Sequence, residues 1–297
     1  SRFVLMNVDT RRPVDLNQLT LADQWILTRF QDAVRDITAH NEEGDFGLSA
    51  TRIYDFAWSE FCDWYIELAK SRLTGEDEAA KHSVQAVLLY VLEGLLKLLH
   101  PFMPFLTEQV YKYLPGTEGF LMLAPWPECK PEYDFLAQER EMEGIMEVIR
   151  TIRNLRAEMN VAASRRTRLM LLPGEGWQQA LAEGEPYFKR LAGASESQLI
   201  ESRDAVTEKT VSAVCLAGEL FIPLGDLVDF EKEIARLNKE LATVEKEIER
   251  AKGKLSNQGF LSKAPAQLVE AEKEKLEANE KKAVSLNERI AELKQSL

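Results

Sequence analysis

From Phe230 onward the apolar residues fall alternately four and three positions apart: Phe230, Ile234, Leu237, Leu241, Val244, Ile248, Ala251 and Leu255. After an interruption, Val269, Leu276, Ala283, Ile290 and Leu297 recur every seven residues, with Leu286 and Leu293 at the other seam position. A seven-residue repeat keeps one stripe of a helix turned toward a partner, so both runs predict coiled-coil helices. The stretch SNQGFLSKAP lies between them; Gly259 and Pro265 break the helix there, and Pro265 suits the first turn of a returning helix. Two runs of about the same length therefore specify an antiparallel hairpin within the chain rather than a coil between chains. Each arm would be roughly 39 Å long at 1.5 Å per residue.

A second stretch, SVQAVLLYVLEGLLKLLHPFMPFLTEQVYKYL from Ser83 to Leu114, predicts the core. Between Val84 and Leu99 the apolar positions are too many for a single stripe, so this helix should be buried on most sides. Pro101 and Pro104 forbid straight continuation, because each lacks an N–H and restricts the residue before it. A half-exposed helix follows, with Leu106, Val110, Tyr111 and Leu114 as its expected apolar face, and Pro115-Gly116 ends it. Leu21 to Asn41 and the aromatic-rich run from Phe46 to Leu73 supply further helices of an α-bundle, in which most aromatics between Tyr54 and Tyr65 should be core.

Residues 116 to 134, rich in Pro and Gly, read as a linker laid over a surface. Phe135 to Met159 is another helix. Short strands are then expected at Thr167–Leu172, Ser197–Glu201, Thr210–Leu216 and Glu219–Pro223, with a helix over Trp177–Ala192 and a turn at Ala217-Gly218. The expected fold is mainly α: a helical bundle over 1–134, a long helix plus small α/β module over 135–227, and an antiparallel coiled-coil hairpin over 228–297.

The opening SRFVLMN starts apolar without a methionine or an N-cap, which suggests an excised piece. No signal peptide is visible, and Lys97 and His100 close the longest membrane-span candidate short of ~20 apolar residues. Cys62, Cys129 and Cys215 lie far apart without metal-ligand spacing, which favours a reducing, cytoplasmic setting. His40, His82 and His100 are scattered with no clustered Cys, Asp or Glu, so no metal site is expected, and His100 before Pro101 reads as a corner residue. Phosphate-cradling or nucleophile-elbow glycine motifs do not occur. No catalytic site is expected, and the chain reads as a binding portion of something larger.

The formal net charge of −12 argues against a polyanionic partner, but its distribution argues the other way. RTIRNLRAEMNVAASRRTR, from Arg150 to Arg168, holds six arginines and one acid, Glu158. Residues 228–297 hold fourteen acids and fourteen bases, so the acidic excess lies upstream. Local sign decides where a polyanion docks. Arginines for phosphates and aromatics for unpaired bases are what an RNA reader needs.

With these residues in view a family resemblance is apparent. LLHPFMPFLTEQVY resembles the anticodon-binding domain of class I aminoacyl-tRNA synthetases of the valyl, isoleucyl and leucyl group. GLSATRIYDFAWSEFCDWYIELAK, MLAPWP, IRNLRAEMNVAASRR and the LSNQGFLSKAP tip are similar to the valyl-tRNA synthetase versions, so the likeness spans essentially the whole chain. In that family a separate catalytic domain carries HIGH and KMSKS motifs and an inserted domain edits; neither motif occurs here, and Ser262-Lys263 lies in the hairpin tip.

The resemblance implies that the bundle binds the anticodon stem-loop, that the arm braces the tRNA elbow, and that the whole enzyme attaches valine to its tRNA with ATP and Mg²⁺. It makes Arg2, Phe3, Asn7, Arg29 and Arg52 candidates for anticodon contact. Arg153, Arg156, Arg165, Arg166 and Arg168 become candidates for the stem backbone, and Lys252, Lys254, Asn257, Phe260 and Lys263 for the elbow. The partner would be valine tRNA and the protein a monomer without membrane contact. Two other readings stay open: a coiled-coil structural or chaperone-like protein, and the C-terminal part of an isoleucyl-type synthetase.

Overall fold

The computed structural model describes residues 1–227, 230–256 and 266–295. They fall into two compact units. The first holds Ser1–Thr151, Pro173–Ala192 and Cys215–Gly218; the second holds Ile152–Leu172, Gly193–Val214 and Glu219–Leu297.

The first unit is a helical bundle. Its elements are α1 (Arg2–Asn7), α2 (Leu21–Glu43), α3 (Phe46–Asp55), a π-helical segment (Phe56–Tyr65), α4 (Ile66–Leu73), α5 (Glu78–Leu99), α6 (Pro104–Tyr111) and most of α7 (Leu136–Glu158). Helix α2 buries Trp25, Ile26, Phe30, Ala33, Val34 and Ile37 along one face and ends at Gly44, whose φ of +83° suits a residue without a Cβ. Asp77 caps α5, its Oδ1 accepting from the N–H groups of Ala79 at 2.9 Å and Ala80 at 3.1 Å.

By length and composition α5 could cross a membrane, but 72% of its most apolar stretch is buried inside the protein. Gly94 sits in the middle of α5, where a Cβ would stand 2.2 Å from Phe30 Cζ, so the missing side chain makes room for that ring.

The run from Phe46 to Leu73 is one helical rod, as its composition suggests, but its middle ten residues take the wider π turn. On that turn Phe56, Phe61 and Tyr65, spaced five and four apart, all face inward. At the proline corner His100 Nδ1 lies 2.7 Å from Thr107 Oγ1, which donates to the Met103 carbonyl at 2.9 Å. That fixes the rotation of α6 and corrects its expected face. Thr107, Tyr111 and Leu114 are buried and Val110 is half-buried, whereas Leu106 is exposed.

Residues 116–134 form a strap pinned to α2. Trp126 Nε1 donates to Thr38 Oγ1 at 2.8 Å, the Lys130 N–H to Gln31 Oε1 at 2.7 Å, and the Phe135 N–H to Thr28 Oγ1 at 2.9 Å. The helix expected over Trp177–Ala192 is broken into α8 (Gln178–Glu183), α9 (Glu185–Tyr187) and a π turn (Phe188–Ala192), with Gly184 and Pro186 at the break.

The second unit contains a four-stranded sheet and the arm. The strands are β1 (Thr167–Pro173), β2 (Ala194–Leu199), β3 (Thr210–Cys215) and β4 (Gly218–Pro223), in the order β2-β1-β4-β3. β1 and β2 run parallel, and β2 begins three residues earlier than its side-chain alternation suggests. The β3–β4 turn is Leu216-Ala217, one residue before the expected position, with Gly218 at φ +138° opening β4. A short α10 (Leu224–Leu227) leads toward the arm helices α11 (Phe230–Ser256) and α12 (Ala266–Gln295).

Leu237, Val244, Leu286 and Ile290 form the arm's buried seam, flanked by Ile234, Leu241, Ile248 and Ala283. Lys254 pairs with Glu272 at 2.9 Å, Lys252 with Glu280 at 2.7 Å, and Glu240 with Lys282 at 2.9 Å. As one partner's number falls the other's rises, so the two helices are antiparallel. Heptad spacing delivers the same seam residues that the sequence nominates. Gly259 and Pro265, assigned to the turn, lie outside the described residues.

Candidate nucleic-acid interface

The positively charged residues of the first unit divide by what they face. Arg29 is clamped: Nε and Nη2 donate to Glu60 at 2.9 and 3.0 Å, and Nη1 donates to Glu139 at 2.9 Å. Hydrogen bonds to Glu60 are the largest of the effects holding its pKa above the usual guanidinium value. Arg52 bonds Asp36 at 3.1 Å and the same Glu60 at 3.2 Å. Both arginines tie helices together, and each already faces two carboxylates, so contact with an anticodon would have to compete with Glu60, Glu139 and Asp36. A cavity of about 440 Å³ beside Arg29 is lined by Glu60, Glu143 and Glu147 as well as Arg150.

Helix α1 is different. Arg2 is exposed and Phe3 half-buried, with Lys70 Nζ 5.8 Å from the Phe3 ring centroid. Asn7 is half-buried; its Nδ2 donates to the Phe3 carbonyl at 2.7 Å, and its own carbonyl accepts from Gln85 Nε2 at 2.6 Å. An exposed cation, a ring edge and an amide therefore stand together on one short helix whose backbone is fixed to α5.

The arginine block proves mixed. Arg153, Arg166 and Arg168 are exposed and Arg165 is half-buried. Arg168 bonds Asp226 at 3.0 Å and Glu208 at 3.1 Å, and those bonds raise its pKa. Arg165 donates to the carbonyls of Asp226 and Gly225. Arg156 is only 8% exposed. Its guanidinium donates to the carbonyls of Arg165 at 2.7 Å and Ala162 at 3.2 Å and lies under Gly193, where a Cβ would stand 3.1 Å from Cζ. Burial, then the nearby Arg166 charge, lowers its pKa. Its expected contact with the stem backbone is corrected: this side chain builds the loop that carries its neighbours.

Arg156→Ala is expected to lower the stability of the second unit by about 1–3 kcal/mol, because the buried Thr167 hydroxyl and the carbonyls of Ala162 and Arg165 lose their donor. Arg156→Lys should recover only part, since a point-like ammonium cannot reach both the carbonyls that Nη2 serves and the Thr167 hydroxyl that Nη1 serves. Hydrogen exchange at amides 160–170 measures this; wild-type protection in the alanine variant would contradict it.

On the arm, Lys252 and Lys254 are exposed and paired with Glu280 and Glu272. Exposed pairs of this kind are worth about 0–1 kcal/mol, so the lysines can change partners readily. Asn257, Phe260 and Lys263 lie outside the described residues.

Residues 23–171, half of the chain, match the family described as the anticodon-binding domain of tRNA ligase. The chain belongs to that anticodon-binding family. Residues 229–294 match a second family, the valyl tRNA synthetase tRNA binding arm. Among curated relatives, a valine–tRNA ligase of Clostridium acetobutylicum is 44% identical over 99% of this chain. Those of Geobacillus stearothermophilus and Enterococcus faecalis are 41% and 40% identical, also over 99% of it. The chain spans 34% of the length of each of these relatives.

Within this anticodon-binding domain, three features escape a reading of the sequence. Tyr54 and Trp58 are 63% and 58% exposed and stack on each other at 6.5 Å with 13° between planes. Their i, i+4 spacing was the available signal, since it places both on one helix face, away from the inward period of Phe56, Phe61 and Tyr65. Lys130 lies 5.3 Å from the ring centroids of both Tyr90 and Tyr133. In addition, His40, Glu43 and Asp45 bring possible ligand atoms within 4.8 Å of one another, because Gly44 turns the chain back. This corrects the view of His40 as isolated from acids; the group is exposed or half-exposed and no ion is present.

Proposed function

We propose that this chain is the tRNA-binding part of a valine–tRNA ligase. The observation that carries the reading is the tRNA-binding-arm match over the two paired heptad helices, joined in one chain to an anticodon-binding bundle. In this reading the modules act as a bundle over 1–134, a connecting helix and α/β module over 135–227, and an arm over 228–297. The bundle holds the anticodon stem-loop of valine tRNA, with Arg2, Phe3 and Asn7 as base-reading candidates. Arg153 and Arg166 contact the stem backbone, with Arg165 and Arg168 held beside them by their carbonyl and carboxylate partners. Lys252 and Lys254, with Asn257, Phe260 and Lys263, meet the elbow.

The whole enzyme would be a cytoplasmic monomer that uses ATP and Mg²⁺ in a catalytic portion elsewhere in the polypeptide. The role of residues 1–297 is positional. Binding energy gathered at the anticodon and elbow orients the far end of the RNA for reaction.

The test is a titration of the chain with valine tRNA between 50 and 200 mM salt. Affinity is expected to fall linearly in log–log form, with a slope of about −0.7 to −0.9 per phosphate neutralised. Arg153→Ala and Arg166→Ala should each flatten that slope by about one contact. Arg2→Ala should erode discrimination between tRNAs of different anticodon. Salt-independent affinity, or equal binding of unrelated polyanions, would sink the reading.

A further inference from the structure

One face of the first unit is apolar and uncovered. Because α6 turns Thr107 and Tyr111 inward, it carries Phe105 and Leu106 on the outside with Tyr113 just beyond its end, and Phe105 is 91% exposed. The chain that follows is tied against the same helix. The Leu121 N–H donates to Glu108 Oε2 at 2.9 Å, and Lys112 Nζ lies 5.6 Å from the Phe120 ring centroid. That tie leaves Phe120, Met122 and Leu123 exposed beside α6.

Allowing about 200 Å² for each large side chain, these six residues present on the order of 800 Å². Monomeric proteins seldom show more than about 300–600 Å² in one apolar patch, and one side of a stable interface contributes about 800 Å².

The patch is built in advance of any partner. Pro101 and Pro104 fix the corner, the His100–Thr107 contact sets the rotation of α6, and the Glu108 bond holds the following turn. Glu108 directs one carboxylate oxygen to the Leu121 N–H, and Lys112 lies over the Phe120 ring, so the partner surface must leave the Lys112 ammonium at the rim of the contact.

We propose that this face docks the part of the longer polypeptide lying outside residues 1–297. The inference rests on the functional reading above, because the relatives are about three times as long as this chain, which spans 34% of each. A tethered partner acts at high effective concentration, so it covers such a patch continuously and at little entropic cost. The complementary surface must be apolar and concave enough to receive Phe105.

The experiment places the photo-crosslinking residue p-benzoylphenylalanine at position 105 of the full-length polypeptide, irradiates it, and maps the joined peptides by mass spectrometry. The expected crosslinks are intramolecular, independent of protein concentration, and run to peptides outside residues 1–297. Crosslinks to a second copy, or only to residues within 1–297, would overturn the proposal. Phe105→Asp with Leu123→Asp, both on the surface, should raise the rate of proteolytic separation of the two parts roughly tenfold. An unchanged rate would also overturn it. Expected crosslinks in a polypeptide that binds no tRNA would leave the docking face standing and refute only the functional reading.

Discussion

Asp23→Ala is expected to destabilise the helical bundle by about 3–5 kcal/mol, because it leaves a charged partner without compensation. Asp23 is fully buried one turn into α2. Its Oδ2 accepts from the Thr20 N–H and hydroxyl, both at 2.9 Å, and from Arg72; its Oδ1 accepts from the Tyr65 hydroxyl at 2.6 Å. Burial, then the Asp23 charge, pushes the Tyr65 phenol well above its usual pKa, so it stays protonated as the donor. Arg72 also donates to the Ala80 carbonyl at 3.1 Å, which joins α4 to α5 through the same group.

All five tryptophans (Trp25, Trp58, Trp64, Trp126 and Trp177) lie in the first unit, so tryptophan fluorescence reports that unit specifically. With a urea slope of about 2 kcal/mol per molar, the midpoint should fall by about 2 M. Adding Arg72→Leu to Asp23→Ala should recover part of the loss, since both charges are then gone. A single-variant loss below about 1 kcal/mol would mean that Arg72 reaches solvent without its partner.

The second large effect is in the core. Phe30→Ala is expected to cost about 3–5 kcal/mol through lost burial and a residual cavity. The Phe30 ring centroid lies 5.6 Å from those of both Phe56, tilted, and Tyr90, edge-on, and its Cζ lies where a Gly94 side chain would begin. Gly94→Ala in the otherwise native protein should cost about 1–3 kcal/mol by overpacking, although alanine is the better helix former. In the Phe30→Ala background the same change should be neutral or stabilising, because the clash is gone and the methyl enters the void. Additive losses in this double-mutant cycle would show that the two positions do not meet.

Periodic features carried over from sequence to structure with little loss. The heptads of α11 and α12 found each other as written, because a seven-residue stripe has one low-energy way to be buried. The width of the apolar surface on α5 likewise could be satisfied only in a core. What did not carry over was phase and partnership. Leu106 faces outward and Thr107 inward because the His100–Thr107 contact, not the apolar pattern, sets the rotation of α6. Tyr54 and Trp58 left the expected core because the π segment, which begins between them, turns Phe56, Phe61 and Tyr65 inward instead. For the candidate site, Arg2 and Phe3 are where an RNA-facing residue can be, whereas Arg29, Arg52 and Arg156 became structural ties.

The sequence alone determined the architecture: helical bundle, small α/β module and antiparallel arm follow from the spacing of apolar residues and of Gly and Pro. Motifs such as LLHPFMPFLTEQVY and the heptad tail determined its kinship. Only the tertiary structure decided which groups of the protein hold Arg29, Arg52, Arg156 and Arg168. The physical reason is that a guanidinium's fate depends on carboxylates and carbonyls distant in the chain. Glu60 and Glu139 claim Arg29, Asp36 and Glu60 claim Arg52, and Asp226 claims Arg168 across 58 residues. No spacing along the chain encodes those partners; the fold brings them within 3.2 Å.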